Sequence, residues 1–375
     1  MMSLRMVSPF NEEYRSSGGE VSSSSYSVDA TRVHDSNTKL WVEPLGSILD
    51  KEYPKPEPLI EGLLHSGTQT IIYGRAGSGK SYITQKICTC LAGKIDFGYY
   101  KVTKAVKILY VDGEMLPADL QARYLKMKPK LCSFDEWQDV LNNLHYCSRF
   151  IQPQDKTLNM ETGKMEVQND PQMLLRTLED KANMQQLMNT IEVHGYQMVV
   201  LDNIFTLFNF EDFSSPTEWL THVQPFLNWC RQRNITVWIV DHARKTASVG
   251  GNSALFGSMV KSVTLDLLIQ VETEKKEVDY DDDTDIEFTF KWHFEKARHL
   301  KAIEQEDVEF QIRNGDIEVV ENLYKKQMIL AKKYFEDGMA LRKIEEQIME
   351  DIDTRVSYSK INRWAEKEGW TRPKQ

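Results

Sequence analysis

The residues best suited to chemistry sit in one run, Gly74-Arg75-Ala76-Gly77-Ser78-Gly79-Lys80-Ser81, which matches GxxxxGK[ST]. The run follows a short β-branched stretch, Thr70–Tyr73, and precedes a helix-forming one from Ser81 to about Ala92, the context this pattern requires. Glycines let backbone N–H groups turn inward around phosphate oxygens. Lys80 is then expected to reach the β- and γ-phosphates of ATP, and the Ser81 hydroxyl to ligate Mg²⁺. The first turn of the following helix adds its dipole to anion binding.

Hydrolysis needs three further groups: a carboxylate on the magnesium side, a base that orients water, and a sensor of the terminal phosphate. Asp202 closes the apolar stretch Val199-Val200-Leu201 and is the expected carboxylate, holding Mg²⁺ through a water. Asn203 follows it, where AAA+ ATPases place their catalytic glutamate, so the base is sought elsewhere. Val111-Asp112-Gly113-Glu114-Met115 ends another apolar stretch, Val106–Val111, which is expected to form the strand beside that of the phosphate loop. A glutamate at the carboxyl edge of such a strand reaches a water next to the γ-phosphate, making Glu114 the candidate base and Asp112 its competitor. Asp241-His242-Ala243-Arg244-Lys245 ends a third strand, and His242 is the candidate sensor.

Bringing these groups to one edge takes a mostly parallel twisted sheet flanked by helices, an α/β architecture that the alternation of stretches predicts. Tyr196–Leu201 and Ile235–Val240 supply two more strands, and helical periodicity covers Asp170–Val193 and the segment from Ser215 to about Arg233. Ser215-Pro216-Thr217-Glu218 reads as a capping box with proline at the first helical position, and Pro225 should kink the helix it opens. Leu265–Val271, Ile286–Glu295 and Val308–Ile312 read as a late antiparallel extension, with Arg313-Asn314-Gly315-Asp316 as a hairpin turn. The acidic run between the first two, Glu272 to Glu287, reads as a solvated loop. Tyr324–Asp337, Leu341–Met349 and Tyr358–Lys367 read as three short helices. The expected division is a Ser/Gly-rich disordered tail over 1–39 and a linker over 40–66 with prolines at 54, 56 and 58. A core over 67–320 and a small helical domain over 321–375 follow.

The chain of 375 residues suits a core of that size with appendages. With no apolar run long enough to span a bilayer and no secretory leader, the expectation is a cytoplasmic protein without a membrane partner. The five cysteines show no CxxC spacing and read as reduced thiols. Net charge is −10, so nucleic acid could be bound only through local basic patches.

Taken in order, these motifs resemble the RepA-like hexameric replicative helicases, in the AAA_25 branch of the RecA/DnaB-type ATPases. The resemblance spans roughly Leu40 to Asn314. It rests on Leu59-Ile60-Glu61-Gly62-Leu63-Leu64, GRAGSGKS, YVDGEM (Tyr110–Met115), VVLDN (Val199–Asn203) and DHARK (Asp241–Lys245) followed by Gly250-Gly251-Asn252-Ser253-Ala254. It implies a RecA-like core in a homo-oligomeric ring, usually of six, that moves on single-stranded DNA and hydrolyses ATP between subunits. It also implies basic residues supplied from the neighbouring subunit. Lys296 and Arg298, two apart and so on one face of a strand, fit that role. Arg244–Ser253 looks like the loop that faces the channel, with Arg244 and Lys245 as DNA contacts.

The chain departs from the family after that. Tyr324–Trp370 looks like a helix-turn-helix or winged-helix unit, with Ser357, Tyr358, Lys360, Asn362 and Arg363 on the exposed face of a recognition helix, or else a small bundle for protein contacts. The expected function is an ATP-dependent DNA-associated ring ATPase, a helicase or loader. The alternatives are an ATP-controlled DNA-binding regulator or recombination mediator and, more remotely, a small-molecule kinase.

Overall fold

Stretches of nearly unbroken β-branched and aliphatic residues must be covered on both faces, and the chain satisfies this by laying them side by side in one sheet. The computed structural model describes residues 43–131, 133–150, 156–158, 165–167, 177–243, 258–275, 288–305, 307–313, 316–320 and 323–373. The expected tail over 1–39 and most of the acidic run lie outside these residues. The chain divides into one unit up to Lys55 and another from Pro56 onward. In the first unit, the short helix α1 (Leu45–Leu49) is braced by Glu43, which accepts from Ser47 and pairs with Lys51.

The second unit opens with a small hairpin, β1 (Pro58–Ile60) and β2 (Leu64–His65), followed by β3 (Gln69–Gly74) and α2 (Lys80–Gly93). Then come β4 (Ile108–Asp112), α3 (Pro117–Leu131), α4 (Phe134–Asn143) and β5 (Leu144–Ser148), and a second small hairpin, β6 (Lys156–Leu158) and β7 (Met165–Val167). Next are α5 (Lys181–His194), β8 (Met198–Asp202), α6 (Ile204–Leu207), α7 (Pro216–Glu218), α8 (Gln224–Gln232), β9 (Thr236–His242) and α9 (Ser258–Thr264). The antiparallel strands and last helices are β10 (Leu267–Lys275), β11 (Phe288–Ala297), β12 (Val308–Arg313), β13 (Asp316–Val320), α10 (Leu323–Glu336), α11 (Leu341–Ile352) and α12 (Tyr358–Glu368).

The nine-stranded sheet has the order β13-β12-β11-β10-β3-β9-β8-β4-β5. Pairing is parallel from β10 through β5 and antiparallel from β10 to β13. This corrects one expectation. β4 is not beside β3; β9 and β8 lie between them, so Glu114 approaches the phosphate loop from three strands away. Alternation along β8 shows how the sheet is covered: Met198 and Val200 join the cluster under α2 and α4, while Val199 and Leu201 join the one under α5, α6 and α8.

Three local readings change as well. Ser215 is the N-cap of α7 and Pro216 its first residue, but the serine side chain makes no capping hydrogen bond. A capping box does form at Ser133 with Glu136. The helix expected from Ser215 to Arg233 is broken by a wide π turn over Trp219–Val223 directly before Pro225, whose ring and missing N–H cannot continue the regular ladder. Of the helix expected over Asp170–Val193, residues 170–176 lie outside the described residues, and α5 begins at Lys181, capped by Asp180, whose carboxylate accepts from Ala182 and Asn183 N–H.

The three C-terminal helices pack around their own apolar cluster, which includes Ile344, Ile348, Ile361, Trp364 and Trp370. Among the described residues no helix is long and apolar enough to cross a membrane.

Candidate functional site

The loop leaves β3 at Gly74 and enters α2 at Lys80. Gly77 and Gly79 have φ of +74° and +80°, which side-chain-bearing residues adopt only at a cost. Gly74 is needed for a different reason: a Cβ there would lie 2.6 Å from the Val271 carbonyl oxygen. Arg75, Ala76 and Gly77 form an exposed crest, while Ser78 and Lys80 are buried and Ser81 is half-buried. Lys80 Nζ donates to the carbonyls of Gly74 (3.1 Å) and Arg75 (2.8 Å) and lies 3.5 Å from Ser78 Oγ. Burial pushes its ammonium down to about 8, against the pull of Asp202, Asp241 and Glu114.

Asp202 ends β8, and its carboxylate is held from two sides. Ser81 Oγ donates to Oδ1 at 3.1 Å and the Tyr110 hydroxyl to Oδ2 at 2.5 Å. Burial outweighs both donors and lifts this carboxyl to about 6.

At the end of β4 the two rival carboxylates have different work. Asp112 is 2% exposed, and its Oδ1 accepts the backbone N–H groups of Glu114 (2.8 Å) and Met115 (3.0 Å), folding the loop that presents Glu114. Its Oδ2 has no hydrogen-bond partner among the described residues. Gly113 N–H donates to the Asp202 carbonyl at 2.8 Å, and a Cβ at this glycine would come within 2.4 Å of Thr206 Oγ1. Glu114 itself is exposed, with Oε2 accepting from Asn203 Nδ2 at 2.5 Å. Asn203 is buried, and its Oδ1 accepts from Thr206 N–H to cap α6.

His242 ends β9, level with Gly74. Its N–H donates to Asp241 Oδ1 at 2.7 Å, and its ring meets Phe205 edge-on at 5.3 Å. Burial and the nearby Lys80 hold its imidazole below the ordinary value, so it is neutral at pH 7. Lys80, Ser81, Asp202, Glu114 and His242 thus gather at the carboxyl edge of the parallel strands, where open α/β sheets bind ligands.

Lys296 and Arg298 are elsewhere. Lys296 is level with Leu268, which pairs with Ile71, three residues before Gly74 and so about 10 Å toward the opposite edge of the sheet. Both side chains turn to the C-terminal end of α9. Lys296 donates to the carbonyls of Ser262 and Val263, and Arg298 to that of Val263 at 3.1 Å. Arg298 and Arg231 flank the buried Asp266 carboxylate, at 3.4 and 2.7 Å.

Arg244, Lys245 and the glycine pair at 250–251 lie outside the described residues. Ser357, the N-cap of α12, and Tyr358, Asn362 and Arg363 on it are exposed, but Lys360 is half-buried with its ammonium 4.8 Å from the centre of the Trp364 ring. The lysine stem folds onto the apolar cluster, so the expected fully exposed face is narrower than the helical spacing suggested.

Four side chains that the motifs did not single out complete these arrangements: Tyr110 on Asp202, Asn203 on Glu114, and Asp266 with Arg231 beside the two late cations. Tyr110 and Asn203 stand inside YVDGEM and VVLDN, where no contact was assigned to them. Asp266 and Arg231 carried no local signal.

A glycine-rich turn on a helix N-terminus, a buried lysine, and the pairing of Ser81 on α2 with Asp202 at the end of β8 define a RecA-like P-loop ATPase. The chain belongs to the AAA_25 family, an AAA domain family whose model matches residues 38–248. A solved structure of a KaiC-like protein from the hyperthermophilic archaeon Pyrococcus horikoshii OT3 is similar, with a TM-score of 0.44 at 13% identity over 70% of this chain and 94% of its own. No curated protein matches the chain. The family match ends within the stretch after β9, so β10 to β13 and the C-terminal helices lie beyond it.

The donor set fits a magnesium nucleotide. Asp202 is buried at 3% exposure with no salt-bridge partner among the described residues, and a divalent cation beside Ser81 Oγ would supply a countercharge. Lys80 is held by neutral carbonyls that phosphate oxygens can replace.

Proposed function

We propose that the protein is an ATP-dependent, DNA-associated ring ATPase of the cytoplasm, a replicative helicase or loader that hydrolyses ATP at subunit junctions. The observation that carries this reading is the division of charge across the sheet. The acid–base and magnesium groups gather at one edge, while Lys296 and Arg298 sit toward the other, where they cannot serve the phosphates of their own loop.

In this reading bound Mg·ATP supplies the electrophilic phosphorus, with the metal neutralising part of its charge. Lys80 binds the β/γ-phosphates, and Ser81 and Asp202 hold Mg²⁺. Glu114, aimed by Asn203 and by the Asp112 turn, takes the proton from the attacking water. Neutral His242 hydrogen-bonds at the terminal phosphate and reports its presence to the segment that follows β9. Lys296 and Arg298 of one subunit stabilise charge at the next subunit's nucleotide. Arg244 and Lys245 would contact single-stranded DNA, and the exposed face of α12, with Arg363 and the partly covered Lys360, would contact duplex.

The testing experiment measures particle mass with ATP and a single-stranded oligonucleotide, turnover in the same sample, and strand displacement on a forked duplex. A hexameric particle with DNA-stimulated turnover and displacement is expected. Stimulation without displacement would favour the regulator reading, and a phosphorylated metabolite with turnover indifferent to DNA would favour a kinase.

A pH dependence follows from Lys80. Phosphate binding needs the ammonium form, and without nucleotide that form is lost as pH rises through about 8. Affinity for ATP should be level between about pH 6, where Asp202 titrates, and that pH, and weaken by up to about tenfold per unit above it. Equilibrium nucleotide binding across the range checks this, and an affinity unchanged up to about pH 10 would contradict it.

A further inference from the structure

Between the two edges of the sheet lies a buried charge pair that the hydrolytic chemistry does not use. Lys261, on α9, is 3% exposed, and its Nζ lies 2.6 Å from Asp241 Oδ2 on a side chain with no exposure. The ammonium also sits 5.1 Å from the centre of the buried Trp219 ring. Asp241 directly precedes His242 and accepts its backbone N–H with the other carboxylate oxygen. A buried ion pair adds little net stability over apolar residues of similar size, but its hydrogen bonds fix direction in a way apolar packing does not. Here that direction links two functional elements.

In α9, Lys261 is followed directly by Ser262 and Val263, whose carbonyls are the acceptors of Lys296 and Arg298. Asp241, Lys261, the last turn of α9 and the two late cations therefore form one unbroken series of contacts. It begins next to the candidate phosphate sensor and ends at the residues read as serving the next subunit's nucleotide. Lys261 also ties together the two sides of the stretch 244–257, since Asp241 precedes it and Lys261 follows it.

We propose that Lys261 is a positioning residue: through its bond to Asp241 it sets the placement of α9, and through α9 that of Lys296 and Arg298. This inference rests on the reading of those two residues as acting in trans, and the test separates the two. Subunits carrying Arg298→Ala keep their own nucleotide site but lend a defective cation, whereas Lys80→Met subunits lack a working site but lend an intact one. Mixing them should restore ATP turnover. Adding Lys261→Met to the Lys80→Met donors should lower that restored turnover by at least about tenfold, while Lys261→Arg, which keeps the pair, should preserve most of it.

The paired replacement Asp241→Leu with Lys261→Met avoids an uncompensated buried charge, keeps the donor foldable, and should fail to restore turnover in the same way. Particle mass reports whether each donor enters the assembly. Assembled donors that do not restore turnover uphold the proposal. Donors that restore it as well as Lys80→Met alone overturn it, as do donors of both kinds that no longer assemble, which would make the pair a brace of the fold only. No restoration even by plain Lys80→Met donors would instead sink the trans reading itself.

Discussion

Lys80→Met is expected to abolish ATP turnover without loosening the fold. Lys80 is 5% exposed, and among the described residues its ammonium donates to two backbone carbonyls and lies near one serine hydroxyl, neutral groups that an incoming phosphate can replace. Removing one preorganised charge-stabilising donor costs about 10²–10³-fold in kcat, and here the weakened hold on the nucleotide adds to it. Stability should move the other way. Burial lowers this lysine from its ordinary 10.5 to about 8, a difference on the order of 3 kcal/mol against folding. The folded chain binds that proton less tightly than the unfolded one, so the deficit is whole below about pH 8 and fades as pH rises toward 10.5. Methionine keeps the apolar stem and removes the charge. The nucleotide-free variant should therefore melt no lower than the native protein at pH 7, which thermal unfolding beside an ATPase assay would check. Native turnover in the variant would discard the site as assigned.

Glu114→Gln should leave ATP bound and hydrolysis nearly stopped. The carboxylate touches neither Lys80 nor the Ser81–Asp202 pair. Its contact is Asn203 Nδ2, to which a glutamine can still present its carbonyl oxygen. What the amide lacks is basicity, and general-base contributions run to about 10²–10⁴-fold. Nucleotide affinity should stay within about threefold while single-turnover hydrolysis falls by that factor. The competing base, Asp112, is buried and holds the loop with one oxygen, so Asp112→Asn should act by displacing Glu114. Full activity in Glu114→Gln would move the base away from this loop.

The parts of the site legible in the sequence are those whose geometry is settled within a few residues. The Gly77 and Gly79 backbone, the start of α2 at Lys80 and the placement of Asp202 and His242 at strand ends follow from local φ, helix-start and periodicity rules. The C-terminal helices were readable for the same reason. Elements without a strong local pattern were missed. The edge strand β5, Leu-His-Tyr-Cys-Ser, is only half-buried over most of its length and exists because β4 offers it a partner.

Strand order was beyond the sequence altogether. That β9 and β8 separate β4 from β3 depends on how long crossovers pack, and pairing between distant segments leaves no mark on either segment alone. The contacts that finish the site are of this kind. Tyr110 meets Asp202 across 92 positions and Asn203 meets Glu114 across 89, joined only because β4 and β8 lie side by side. Sequence by itself nominated the residues proposed to bind phosphate and metal. The folded sheet decided which of the two carboxylates faces solvent, and that Lys296 and Arg298 lie toward the other edge, since both depend on register and burial rather than residue type.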